Sequence, residues 1–308
     1  MRFCLMIEGQ ENVTWDNWRA IAAATEEAGL EALFRSDHYL SVQGDPERGS
    51  LDAWATLAAL AAVTSRIKLG TLVSPVTFRH PSVLAKNVVT VDHVSGGRVE
   101  VGMGAGWHVA EHRAFGFPFP DTRTRMDMLE EQLEIVNGEW VEGAFSFDGR
   151  HYRLETVDAL PKPVQRPRPN LIVGGGAGPR SAMLAARFAD EYNTFMVSPE
   201  EFARRRGNVL RACEAVGREP LTLSLMTPVL VGRDSSEYEE RRVRMAERRN
   251  ESGFAPSAEW IAGTVEEAAE TLRTYEEAGV ERVMFQQLLH DDLDMIDVIG
   301  RKLAPLFA

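Results

Sequence analysis

Apolar residues recur along this chain in two alternating rhythms. Residues 2–8 (RFCLMIE) form a short, dense apolar run that predicts a buried strand. From Thr14, a helix cap, the apolar positions Trp18, Ile21, Ala22, Thr25 and Ala28 return at helical spacing, with Val13 and Trp18 placed as a hydrophobic staple and Gly29 as the stop. A strand over residues 31–36 follows, then a loop to Gly49, an alanine-rich helix over 51–64 and a strand over 67–73. A helix over 81–94 leads through Ser95, Gly96 and Gly97 into a strand ending at Gly102.

The second half keeps the alternation with one interruption. A long helix over 121–139 gives way to FSFDGRHYRL, a hairpin around Asp148-Gly149, and a proline-rich connector over 161–169. Strands are then expected over 170–173, 192–196, 221–231 and 280–286. The helices between them are opened by Pro179, by Ser198-Pro199-Glu200-Glu201 and by the capping box at Thr264 and Glu267, and a last helix covers 293–306. Strict strand–helix alternation means parallel strands joined by right-handed crossovers. Eight such units in one chain of 308 residues make a (β/α)8 barrel, a TIM barrel, with insertions near 140–165 and 232–263 in a single domain, the economical architecture. A doubly wound open sheet gives the same rhythm.

Composition narrows the partners. A net charge of -12 without a basic block argues against nucleic acid. The longest apolar run, over 53–63, is too short to span a bilayer, and RFCLMIE is too short for the apolar core of a signal peptide, so none is expected. Cys4 and Cys213 stand far apart in no metal or redox spacing. A cytoplasmic protein acting on a small molecule is expected.

In a barrel, chemistry gathers at the carboxyl ends of the strands. Gly174, Gly175, Gly176, Ala177 and Gly178 follow one strand end and precede Pro179 at the start of a helix, so free N–H groups and the positive end of the dipole face the loop; this reads as a phosphate grip. A tight turn without ligand would need one glycine. Asp37 and His38 adjoin at the second strand end, where a carboxylate would fix or charge an imidazole, provided the chain bends so that both side chains serve one site. In GMGAGWHVAEH, Gly102, Gly104 and Gly106 let the chain lie against a flat ligand, Trp107 offers a stacking face, and His108 and Glu111 a proton relay. The same stretch contains His108-Val109-Ala110-Glu111-His112, an inverted zinc-peptidase motif that lacks an identifiable third ligand. Arg79 could bring a cation to the barrel mouth or open a helix. Arginines of the 232–263 stretch could form a lid or a solvated helix face paired at i,i+4.

Taken together, RSDHY, IKLGTLVSPVTFRHPSVLAK, GGRVEVGMGAGWHVAEHRAFGFPFP, LIVGGGAGPRSAMLAARFADEYN and GTVEEAAETLRTYEEAGVERVMF resemble the luciferase-like flavin-dependent oxidoreductases, most closely the branch that uses the deazaflavin coenzyme F420. The resemblance covers nearly the whole length. It implies a TIM barrel, hydride transfer between F420 and a small organic substrate, no metal, and a homodimer. A non-proline cis peptide at Leu72-Val73 would support the deazaflavin, Asp37 and His38 would take the site Asp-His positions, and residues 175–178 the phosphate loop. Trp107 stands where some relatives carry a proton-donating glutamate, which leaves Glu111 or His108 as the replacement. Alternatives are an FMN-dependent monooxygenase on the same fold, a zinc hydrolase through HVAEH, and a non-redox phosphate-binding lyase.

Overall fold

The computed structural model describes residues 1–45 and 47–307. Strands β1 (Arg2–Ile7), β2 (Ala32–Arg35), β3 (Lys68–Pro75) and β4 (Val99–Gly104) alternate with helices α1 (Trp15–Glu27), α2 (Ala53–Val63) and α3 (Pro81–Ser95). A short α4 (Val109–Phe115) and a long α5 (Thr122–Trp140) precede the hairpin β5 (Phe145–Asp148) and β6 (Arg153–Val157). Then come β7 (Asn170–Gly174), α6 (Pro179–Phe188), β8 (Glu191–Phe195), α7 (Pro199–Ala215), β9 (Thr222–Gly232), α8 (Ser235–Arg249), β10 (Ile261–Thr264), α9 (Val265–Glu277), β11 (Arg282–Gln286) and α10 (Leu293–Val298).

The strands β1-β2-β3-β4-β7-β8-β9-β11 pair in parallel, and β11 pairs back to β1. The sheet therefore closes, which excludes the doubly wound alternative and gives a (β/α)8 barrel. The stretch 232–263, expected as a charged excursion, contains α8 and a strand, β10, that pairs only with the far half of β9, Ile261 opposite Val229. Thr14 caps α1 in a capping box completed by Asn17. Proline occupies the first turn of α3, α6 and α7, where its missing N–H costs nothing.

Strand alternation sorts the side chains. On β1, Phe3, Leu5 and Ile7 pack outward against the helices, while Cys4 and Met6 join Phe34, Ile172 and Met284 inside the barrel. The amino end of the barrel is closed by charge. Arg282 is fully buried and donates to Glu100 (2.7 Å), Glu191 (2.9 Å) and Glu31 (3.0 Å). Burial alone would push Glu100 up, but Arg282 and Lys68 hold it below the ordinary carboxylate range, whereas burial does raise Glu191. With its amino end plugged, the barrel opens at the carboxyl end.

Candidate active site

A cavity of about 720 Å³ occupies that carboxyl mouth, within the size range of small-molecule sites. Its floor is made by β3. Between Thr71 and Ser74 the pairing of β3 with β4 shifts register, and within this bulge the Leu72-Val73 peptide is cis. The Val73 side chain fills space left by glycines on β4 and β7, the next two strands of the ring. A Cβ at Gly102 would lie 2.8 Å from Val73 Cγ1, at Gly104 2.7 Å from Cγ2, and at Gly174 3.1 Å from Cγ1. Gly102 and Gly104 thus make room for the Val73 side chain, and of the two only Gly104 also lines the cavity. Gly106 is required for its backbone, with φ +79°, and lines the cavity.

Beside the floor stands His38, just past β2. Its Nδ1 lies 2.8 Å from Glu111 Oε2, and the other Glu111 oxygen accepts the backbone N–H groups of Tyr39 and Leu40. Burial would lower His38, but the Glu111 carboxylate, with smaller help from Glu8 and Asp37, raises it above its ordinary value. Burial likewise works to raise Glu111, and the His38 imidazole and the two amides overcome it and hold the carboxyl low. Because Nδ1 is committed to a carboxylate, Nε2 is the nitrogen left for a ligand.

Asp37 does not share this site. Its side chain turns to the opposite side of the strand, where it accepts the Ser74 hydroxyl (2.6 Å) and Arg79 Nη1 (2.5 Å). Ser74 in turn accepts the Trp54 indole N–H at 3.1 Å. Asp37 thus anchors the β3 bulge from behind, and the carboxylate bonded to His38 is Glu111. Arg79, considered as a cation for the mouth, is held between Asp37 and Asp52.

His108 lines the cavity with a buried Nε2 that has no partner, and burial lowers its pKa. His112, although on the wall, has both nitrogens engaged: Nδ1 donates to the His108 carbonyl at 2.8 Å and Nε2 accepts the Thr77 hydroxyl at 2.6 Å. With Glu111 held by His38, HVAEH does not form a zinc pair, and among the described residues no cluster of three or more His, Cys, Asp or Glu is arranged around a metal. Trp107 stands at the rim, 62% exposed, with its edge to the His38 ring.

Across the mouth lies the glycine loop. Gly174, Gly175, Gly176 and Ser181 line the cavity, and a Cβ on Gly176 would meet nothing within 4 Å. Ala177 and Gly178 do not line it. Ala177 is buried with φ +51°, its N–H donates to the Tyr192 hydroxyl (2.7 Å) and its carbonyl accepts Asn208 (2.9 Å), so it ties the loop to the core. Arg205 of α7 reaches the same end, steadied by Glu201 (2.7 Å) and Thr194 (2.5 Å). The sequence reading missed it, because Glu201 and Arg205 at i,i+4 look like an ordinary solvated pair. The α8 arginines form no lid: Arg241 and Arg244 bind Asp292 and its neighbours, and none lines the cavity.

A closed parallel barrel whose carboxyl-end cavity is lined by both an acid–base pair and a glycine loop has the layout of a (β/α)8 enzyme. More particularly, the chain belongs to the luciferase-like monooxygenase family, whose model matches residues 1–282. It is 29% identical over 278 residues to an F420-dependent glucose-6-phosphate dehydrogenase of Nakamurella multipartita, covering 89% of this chain and 79% of that one. It is 32% identical over 190 residues to an FMNH2-dependent dimethylsulfone monooxygenase of Pseudomonas putida, covering 60% and 50%. The chain spans about half the length of several of the curated relatives it matches. The coenzyme F420-dependent tetrahydromethanopterin reductase of Methanopyrus kandleri has the same fold, with a TM-score of 0.84 at 20% identity and coverage of 100% of this chain and 99% of that one. No helix among the described residues is long and apolar enough to cross a membrane.

Proposed function

We propose that this protein moves a hydride between the deazaflavin coenzyme F420 and a small organic substrate. The observation that carries the reading is the layout of the mouth. In the ring of eight strands, β8, whose following helix carries Arg205, lies four places from β2, which leads into His38, and β7 with its glycine loop lies four places from β1 and three from β2, so the loop and Arg205 stand across the mouth from His38 and the Glu111 carboxylate bonded to it. The apolar side chain of Val73 lines the same cavity. The residues fit such a cofactor: Gly176 leaves open space on the loop, and Arg205 supplies a cation for a phosphate.

Bound there, the deazaflavin supplies hydride acceptance and donation. This chain's own residues bind, orient and exchange the proton. Glu111 fixes His38 with Nδ1 protonated, so that Nε2 can hold or release a proton at the cavity side. The alignment with an F420-dependent relative across most of both chains supports F420 over FMN, for which the alignment is shorter.

Parallel binding titrations with F420, FMN and FAD test the reading. F420 is expected to bind with the highest affinity, and preference for FMN would move the protein to the monooxygenase alternative. Chelator treatment is expected to leave activity intact; zinc lost together with activity would restore the hydrolase reading of HVAEH.

A further inference from the structure

Glu8 stands at the end of β1 and lines the cavity. Its two carboxylate oxygens are held by neutral amides. Gln10 Nε2 donates to Oε2 at 2.6 Å, and Gln286 Nε2 donates to Oε1. Among the described residues it makes no ion pair with an arginine or lysine. Each carboxylate oxygen has more than one acceptor site, so a donor from the cavity can still be received. Glu8 is also close enough to His38 to help hold the imidazolium, which places it at the acid–base end.

The charges lining the cavity are therefore polarised. Arg205 is the one guanidinium on its wall among the described residues, and it stands with the glycine loop at the far side of the ring. The near side carries Glu8 and Glu111. Around them the apolar side chains of Met6, Val42 and Met226 alternate with Ser36, His108 and Gln286. A phosphate or carboxylate brought to the His38 side would meet the Glu8 carboxylate, with Glu111 already paired to His38, and no arginine or lysine. A hydroxyl or ammonium would meet an acceptor already oriented by two amides.

We propose that Glu8 reads the substrate: the His38 end of the cavity takes an uncharged or cationic, largely apolar molecule that offers a hydroxyl or amino hydrogen to Glu8, and rejects phosphorylated or carboxylated ones. The inference rests on the proposed division of the cavity into a cofactor end and a substrate end. Its element of rejection follows from like charges in a partly desolvated site.

Three probes that share one ring, cyclohexanol, cyclohexylamine and cyclohexanecarboxylate, test it at neutral pH. Their affinities are read by ligand-observed NMR titration on the protein alone and with F420 added. The alcohol and the ammonium are expected to bind, and the carboxylate to bind at least about tenfold more weakly. In Glu8→Gln, which keeps shape and removes charge, the alcohol-to-carboxylate ratio is expected to shrink to within about threefold, while F420 affinity stays within about twofold. The inference is overturned if the alcohol and ammonium do not bind, if the carboxylate binds as well as either, if the ratio is unchanged in a folded Glu8→Gln, or if that variant loses F420 affinity and so assigns Glu8 to the cofactor. The wild-type ratio decides by itself should the variant fail to fold. Probe order retained without any F420 binding would sink the proposed function and leave the specificity of Glu8 standing.

Discussion

Replacing Glu111 by glutamine isolates what the His38–Glu111 pair contributes. Glutamine keeps an oxygen for the Tyr39 and Leu40 amides, so the loop retains its acceptor, but the negative charge beside His38 is gone. The imidazole Nδ1 then faces an amide, and the burial that already works against its protonation is left unopposed by its main partner. A hydrogen bond to a charged group contributes about 1.5–3 kcal/mol, and its loss removes that stabilisation from the imidazolium, so the His38 pKa is expected to fall. The sign follows from the direction of each shift. His38 is raised in the folded protein, so its share of the pair's stability is present below its unfolded value and is lost as pH rises through the raised folded one. Glu111 is lowered, so its share is present above its unfolded value and is lost as pH falls through the folded one. The pair is thus effective between those limits, and Glu111→Gln should narrow that window from the alkaline side. The assay is an NMR titration of the His38 ring, assigned by comparison with His38→Ala, run beside single-turnover reduction across the same pH range. The reduction rate at neutral pH should drop by about one to two orders of magnitude, within the range of positioned acid–base groups. A His38 that titrates unchanged in Glu111→Gln would refute the reasoning, whatever the rate does.

Gly176→Asp should fold normally, since a Cβ there meets nothing within 4 Å, and should weaken F420 binding by at least about tenfold through like charge, measured by titration. Gly102→Ala should be destabilising by about 1–3 kcal/mol in denaturant unfolding, because its Cβ would sit 2.4 Å from the Thr71 carbonyl oxygen and 2.8 Å from Val73. His290 accepts from Arg248 at 2.9 Å, and burial and that guanidinium lower it to about 4, so the fold loses stability as pH falls from its ordinary 6.5 through about 4. His290→Gln keeps an acceptor without a titrating group and should flatten that acid limb by on the order of 1–2 kcal/mol after allowance for partial exposure, as read from unfolding at several pH values.

The regular elements were legible because each carries its own period, and the parallel order followed from their alternation. β10 escaped because IAGT is four residues without alternation, made a strand by the long β9 beside it. The site was legible as a set of positions but not as a set of partnerships. Asp37 and His38 are adjacent in sequence, and strand geometry sends them to opposite sides, while the carboxylate that bonds His38 comes from 73 residues away. Glycine spacing was ambiguous for a physical reason. It reports that something comes close to the backbone, and in GMGAG that something is Val73 for two of the three glycines.

The two ends of the barrel show why charge partners, more than residue types, separate scaffold from site. Glu31, Glu100 and Glu191 at the amino end look in sequence much like Glu8, as acidic residues in or beside apolar runs. All three surround Arg282, whose guanidinium offsets the cost of taking them out of water. They are satisfied within the chain and need nothing further. Glu8 is tethered by amides that orient it without neutralising it, and Glu111 shares its charge with a histidine that can lose its proton. A carboxylate without an arginine or lysine partner in a partly desolvated cavity can still receive a further donor. In this barrel that demand is concentrated on the side of His38, across the ring from the glycine loop, so the proposed substrate selection would follow from the same arrangement as the proposed cofactor site.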